Sequence, residues 1–292
     1  MKSLGRTRGQ RILLRVALYG GFFFIGLPGA FAYVMTRTYR PSSLASPPPG
    51  YQELWLDSEG LRLRAWLSAA GGERPAAVIV HGLGDSLESY LEHARLLRQR
   101  GHAVLLVDLR GHGGSAGSYT ALGARERADV TSAMDELRRR RLTQHGLILM
   151  GHSMGSVAVL LAAADARDVR GVIVEAPYDT YRNTIKHHAK VYYQLPGWVP
   201  IIPLAIAAAE VRAGFDADQV DAVAAASRMR APLFAIVDGL DARMPESVVR
   251  RVYDAHPGPK RFWVAPGVDH VGAIMLPEYS ARVRAFLDEN GL

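Results

Sequence analysis

Apolar positions along this chain follow three distinct patterns. From residue 16 to residue 36 no side chain is charged, and Phe22-Phe23-Phe24-Ile25 lies within the run. Such a stretch matches the roughly 20 residues that a helix needs to cross the hydrocarbon layer of a bilayer. Residues 51–57 and 61–67 instead alternate apolar and polar side chains on either side of Ser58-Glu59-Gly60, which predicts an antiparallel hairpin. Short continuous apolar runs then recur at residues 76–80, 103–107, 147–150, 171–174, 233–237 and 261–264. Runs of this kind predict parallel strands covered on both faces.

Helical spacing fills the intervals. Leu87, Tyr90, Leu91 and Ala94 recur at i, i+3, i+4 and i+7, and so do Val130, Ala133, Met134 and Leu137. Strands alternating with helices predict a doubly wound α/β sheet. The interval between Val174 and Leu233 is too long for one crossover. It is rich in Tyr, Ala and Ile, holds Pro196, Pro200 and Pro203, and is predicted to form a small helical cap over residues 178–228. The expected organisation is a hydrophobic N-terminal segment (1–36), a Pro-rich extended linker (37–50) and one α/β domain (51–292).

Charge changes the picture in one respect. The 292 residues carry a net charge of +7, and residues 1–40 hold seven basic residues and no acidic one. The rest of the chain is therefore neutral overall, which removes the motive for a nucleic-acid partner. Five basic residues precede the apolar run and two follow it. This bias places the N-terminus in the cytoplasm and the domain on the extracytoplasmic side of a single-pass membrane protein. An uncleaved signal anchor is favoured, because the run continues past Ala30-Phe31-Ala32 through Val34 and Met35. Cleavage near Ala32, giving a secreted or periplasmic domain, is the alternative. With no cysteine, the chain has no disulfide, thiol nucleophile or Cys-based zinc site.

Candidate chemistry begins with G-x-S-x-G, which occurs as Gly113-Gly114-Ser115-Ala116-Gly117 and as Gly151-His152-Ser153-Met154-Gly155. Ser115 lies in a Gly-rich loop and reads as a turn serine. Ser153 directly follows the strand at 147–150 and precedes the apolar helix that starts near Val157, the strand–turn–helix setting of a serine nucleophile. His81-Gly82-Leu83-Gly84 follows the run at 76–80, so the backbone N–H groups of Leu83 and Met154 are the expected oxyanion donors.

A serine hydroxyl needs a base. Of the ten histidines, His270 ends the loop Ala265-Pro266-Gly267-Val268-Asp269-His270 after the last strand, and it is the expected base. His152 is expected to point away from the elbow and His112 to brace its loop. His187 and His188 are adjacent, so they point apart and hold no metal. His93, His102, His145 and His256 sit in polar stretches expected at the surface. The acid that orients the imidazole should fall between the serine and the histidine. Asp241 is favoured over Asp238, the residue at the strand tip.

Taken together, His81-Gly82-Leu83-Gly84, Asp108-Leu109-Arg110-Gly111-His112-Gly113, Gly151-His152-Ser153-Met154-Gly155, Asp241-Ala242-Arg243-Met244-Pro245 and Gly267-Val268-Asp269-His270 resemble the α/β-hydrolase superfamily. Their order resembles the monoglyceride-lipase-like serine hydrolases. The resemblance implies an eight-stranded, mostly parallel sheet, a Ser153–Asp241–His270 triad and no cofactor. One departure is that Asp238-Gly239 stands where many members carry His-Gly. The expected function is hydrolysis of carboxylic esters, acyl or lipid-like, through an acyl-enzyme. A serine peptidase or thioesterase on the same triad is the alternative, and a catalytically silent, membrane-tethered binding protein is a third reading.

Overall fold

The computed structural model describes residues 7–69 and 73–292. Eight strands form one sheet: β1 (Gln52–Ser58), β2 (Leu61–Ser68), β3 (Ala76–Val80), β4 (Val104–Val107), β5 (Leu147–His152), β6 (Val169–Glu175), β7 (Leu233–Asp238) and β8 (Lys260–Ala265). Their order across the sheet is β1-β2-β4-β3-β5-β6-β7-β8. β2 pairs antiparallel with both β1 and β4, and every pairing from β4 to β8 is parallel.

The continuous apolar runs have a direct physical reason. Helices cover both faces of the sheet, so every residue of β3, β5 and β7 is buried. Ala76, Val78 and Val80 face the layer of α4 (Glu126–Arg139), α5 (Met154–Ala163), α8 (Ala222–Arg228) and α9 (Glu246–Ala255). Ala77 and Ile79 face α3 (Leu91–Arg98) and α10 (Tyr279–Glu289). Each fully buried Val or Ile contributes about 1.5–3 kcal/mol relative to exposure. Between β6 and β7 lie α6 (Tyr181–Tyr193), α7 (Ile201–Ala213) and α8. The first two form the cap over the carboxyl ends of the strands.

The N-terminal helix is continuous from Arg8 to Thr36 and long and apolar enough to cross a membrane. It comprises α1 (Arg8–Gly21), one π turn (Phe22–Gly26) and α2 (Leu27–Thr36). Pro28 explains the π turn. Its ring cannot donate to the preceding turn and would crowd it, and the Leu27 N–H bonding back to Phe22 O widens the helix just there. α1 has no buried residue, whereas Pro28, Ala32 and Thr36 of α2 are buried. α2 packs along α7.

The Pro-rich segment after it has no helix and no strand beyond a single bridge, yet it is fastened to the body. Tyr39 N donates to Gly111 O at 2.8 Å, Gly113 N to Tyr39 O at 3.2 Å and Ala45 N to Glu88 Oε1 at 3.1 Å. The Tyr39 ring stacks on His112 at 5.5 Å.

Candidate active site

Ser153 stands where β5 ends and α5 begins. Its backbone lies at φ 52° and ψ −118°, a conformation that costs a non-glycine residue on the order of 1–3 kcal/mol. The flanking glycines are a matter of space. A Cβ on Gly155 would lie 2.4 Å from His81 O, and one on Gly151 would lie 2.5 Å from Gly155 O. Without side chains there, α5 can lie directly against β3, and the turn projects the serine past the rim of the sheet.

The serine Oγ is 2.8 Å from His270 Nε2, and His270 Nδ1 is 2.5 Å from Asp241 Oδ2. An ionised carboxylate has no proton to give, so Nδ1 carries the hydrogen and Nε2 accepts from the serine hydroxyl. The other Asp241 oxygen accepts from Arg243 N at 2.8 Å and from Met244 N at 3.1 Å. Burial pushes the Asp241 carboxyl up, but the bond to His270, the imidazole's charge and those two N–H groups outweigh it. The net result lies below the ordinary value. Three side chains expected from distant segments thus meet at one edge of the sheet, hung from the ends of β5, β7 and β8.

Asp238 makes no hydrogen bond to His270. Its Oδ2 accepts from Val271 N at 2.8 Å and its Oδ1 from Gly272 N at 3.3 Å. It therefore braces the turn immediately after His270, where Val271 is held at φ 58°. Glu175, at the end of β6, grips the next residue by accepting from Ala273 N at 3.0 Å. The Asp238 and Glu175 carboxyls act on each other electrostatically, and the charge of Glu175 favours the protonated form of Asp238. Burial, then the charge of Glu175, pushes Asp238 up to about 8, and burial raises Glu175 as well. Glu175 is absent from the sequence expectations. Its signal was available, since an acid closes the apolar run Val172-Ile173-Val174 just as Asp238 closes its own strand.

The segment after β3 passes close beside the serine. A Cβ on Gly82 would lie 3.2 Å from Ser153 Cβ and 3.4 Å from His152 O. Neither Leu83 N nor Met154 N has an acceptor among the described residues. His81 fixes this turn. Leu109 N donates to its Nε2 at 3.0 Å, so its Nδ1 carries the hydrogen and donates to Gly82 O at 2.7 Å. Burial lowers His81 to about 4, which keeps the ring neutral at physiological pH.

An apolar pocket of about 240 Å³ opens beside Ser153. The cap contributes Tyr178, Tyr192, Tyr193, Ile201 and Ile202 to its wall, and α2 contributes Phe31, Val34 and Met35. No carboxylate is among the lining residues. Elsewhere in residues 178–228, Tyr181 is buried, while Trp198 and Leu204 are exposed.

The other candidates have structural duties. Ser115 is buried, accepts from Arg64 N at 2.8 Å and donates to Asp108 O at 2.6 Å. His112 bonds Arg110 O through Nδ1 at 2.9 Å, and His187 bonds Ala242 O through Nε2 at 2.8 Å. His152 turns from the serine and donates Nδ1–H to Glu175 Oε2 at 3.1 Å. The surface placement expected for His93, His102 and His256 is overturned, since all three are buried. His102 Nδ1 bonds Pro75 O at 2.8 Å, His256 Nδ1 bonds Ala226 O at 3.2 Å, and His93 packs edge-on against His152 at 4.4 Å. A neutral imidazole with a carbonyl partner or an aromatic neighbour is tolerated inside, and burial lowers the pKa of all three.

Comparison with known proteins agrees with this architecture. The uncharacterized protein YqkD of Bacillus subtilis is 30% identical over 219 residues, covering 72% of this chain and 70% of that one. The uncharacterized protein Rv2307c of Mycobacterium tuberculosis is 26% identical over 302 aligned positions, covering 99% of both chains. The solved structure of the Pyrococcus furiosus esterase Pf2001 superposes with a TM-score of 0.69 at 20% identity, covering 86% of this chain and 98% of that one, which establishes the shared fold. Residues 72–226 match the family described as serine aminopeptidase, S33. The chain therefore belongs to the S33 serine aminopeptidase family, a branch of the α/β-hydrolase superfamily of serine hydrolases.

Proposed function

We propose that this protein hydrolyses carboxylic esters with an apolar acyl part, with Ser153 as nucleophile, His270 as base and Asp241 as its orienting acid. The observation that carries the reading is the unbroken hydrogen-bond line from Asp241 through His270 to Ser153 at the mouth of an apolar pocket.

The steps follow from the hydrogen positions. His270 Nε2 takes the Ser153 proton as Oγ attacks the acyl carbon. The carbonyl oxygen becomes an oxyanion facing the N–H groups of Leu83 and Met154, which have no acceptor among the described residues. The imidazolium, stabilised by the Asp241 carboxylate, returns its proton to the departing alcohol. Water then repeats the sequence on the acyl-enzyme, giving a carboxylic acid and free Ser153. The neutral, buried His81 keeps the Gly82–Leu83 turn in place through both halves of the reaction.

The peptidase reading has the family description behind it. An aminopeptidase must hold the substrate's terminal ammonium, which calls for an anionic group facing the site. The lining of this pocket offers none, and that favours an ester. A thioester would meet the same nucleophile. The apolar N-terminal helix supports a membrane-anchored enzyme, and the basic bias ahead of it supports a catalytic domain on the extracytoplasmic side.

The test is labelling by a fluorophosphonate probe, followed by turnover of p-nitrophenyl esters and of aminoacyl p-nitroanilides. Labelling that persists in Ser153→Ala would remove Ser153 from the mechanism. Preference for the anilides would replace the esterase with a peptidase. An unlabelled, inactive wild-type chain would leave the tethered binding protein.

A further inference from the structure

The N-terminal helix does more than precede the domain. Its α2 portion supplies Phe31, Val34 and Met35 to the wall of the pocket that holds Ser153. Several independent contacts build α2 into the cap. The Phe31 ring meets Tyr193 edge-on at 5.1 Å. Arg212 of α7 donates to Thr36 Oγ1 at 3.0 Å, and its guanidinium lies over the rings of Tyr33 and Tyr119 at 4.8 and 4.9 Å. Thr120 N donates to Thr36 O at 3.1 Å.

Length fixes how this assembly meets a bilayer. The uncharged residues upstream of α2 are 16–26. At 1.5 Å per residue they span about 17 Å, roughly half of the ~30 Å hydrocarbon layer. Only the whole uncharged run through Thr36 reaches across, so α2 itself lies at membrane depth and brings α7 with it. α7 suits that position. Its sequence is apolar from Ile201 to Ala209, it touches the π turn of the anchor, and its polar residues Glu210 and Arg212 lie at the Thr36 end. The cap also presents exposed Trp198, Tyr192, Tyr193 and Val211, aromatic and apolar residues of the kind that collect at a membrane interface.

We propose that α2 is a retained, specificity-determining wall of the acyl site, and that the substrate is a membrane lipid ester whose fatty-acyl chain reaches Ser153 along α2 directly from the bilayer. The proposal rests on the ester-hydrolase reading and adds the source of the substrate to it. It also selects between the two fates of the N-terminus. Cleavage after the buried Ala32 would remove Phe31 from the pocket wall and leave the cap without its partner.

The test uses the full chain in phosphatidylcholine vesicles. A p-nitrophenyl alkylphosphonate with a long chain and a terminal diazirine is coupled to Ser153 and then photolysed. The expected adducts map to residues 27–36; adducts confined to other segments would overturn the proposal. A second arm uses Val34→Trp, which narrows the wall at a half-exposed position of the pocket lining. The ratio of kcat/KM for decanoate over acetate esters is expected to fall about tenfold, the usual penalty for a blocked methylene site. An unchanged ratio would refute the wall. Intact mass from native membranes should include residues 1–36, and loss of residues 1–32 would equally refute it. If Ser153 does not react with the phosphonate at all, the ester-hydrolase reading fails, and this inference with it. If Ser153 reacts while either the adducts or the ratio is wrong, the wall alone fails.

Discussion

Asp238→Asn separates the two carboxylates that end near His270. Asparagine keeps one oxygen to accept from Val271 N, loses the longer bond from Gly272 N, and can turn its NH2 toward Glu175. What it removes is a titrating group. In the wild type, Asp238 has an ordinary pKa near 4 when unfolded and about 8 when folded. Between those values the folded chain binds more protons than the unfolded one, so stability falls as pH rises through the window. The slope for one proton is on the order of 1 kcal/mol per pH unit, or roughly 3 kcal/mol from pH 5 to pH 7. For a domain of this size that corresponds to about 5–10 °C in Tm. The assay is thermal unfolding of both chains in the same detergent at the two pH values. Relative to the wild type, the variant should gain that amount at pH 7 over pH 5. Parallel pH dependences would refute a protonated Asp238 in the folded chain. The same variant should keep ester turnover within tenfold of wild type, whereas Asp241→Asn, which removes the acceptor that fixes the His270 tautomer, should lose about 10⁴ in kcat. The reverse ranking would make Asp238 the triad acid.

Three further outcomes are expected. Ser153→Ala should abolish phosphonate labelling and lower kcat on acetate esters by about 10⁶, with little change in Tm, as read by burst kinetics and differential scanning fluorimetry. Gly82→Ala sets a methyl 3.2 Å from Ser153 Cβ and should shift the Leu83 donor, lowering kcat by about 10²–10³ while KM moves less. Gly155→Ala would bring a methyl within 2.4 Å of His81 O and should cost at least about 3 kcal/mol, seen as loss of folded protein by near-UV circular dichroism.

Much of this architecture could be read from residues alone, and for identifiable reasons. A five-residue apolar run such as Ala76–Val80 is too short for a core helix and reads as a strand covered on both faces. Ser153 was separable from Ser115 because only one of the two serines leaves a strand and enters a helix. The misreadings share a cause. His93, His102 and His256 sit among polar neighbours, and whether such a ring is buried depends on a carbonyl or aromatic group supplied from elsewhere in the fold. The Asp238–Glu175 pair joins the tips of two strands 63 positions apart (238 − 175), and no local pattern records that meeting. The docking of α2 was hidden for another reason. A segment apolar on every side fits lipid and protein equally, so its composition cannot say that one face belongs to the cap.

The parallel run of β3, β5, β6, β7 and β8 gives the molecule two unlike ends. Everything that touches chemistry hangs from the end where these strands finish. The loops that feed them, such as residues 143–146 and 164–168, gather at the far pole. That pole is where length and composition can drift without disturbing the reacting groups. A peptide insertion, a fluorophore or a solid support attached there would leave the working end facing outward.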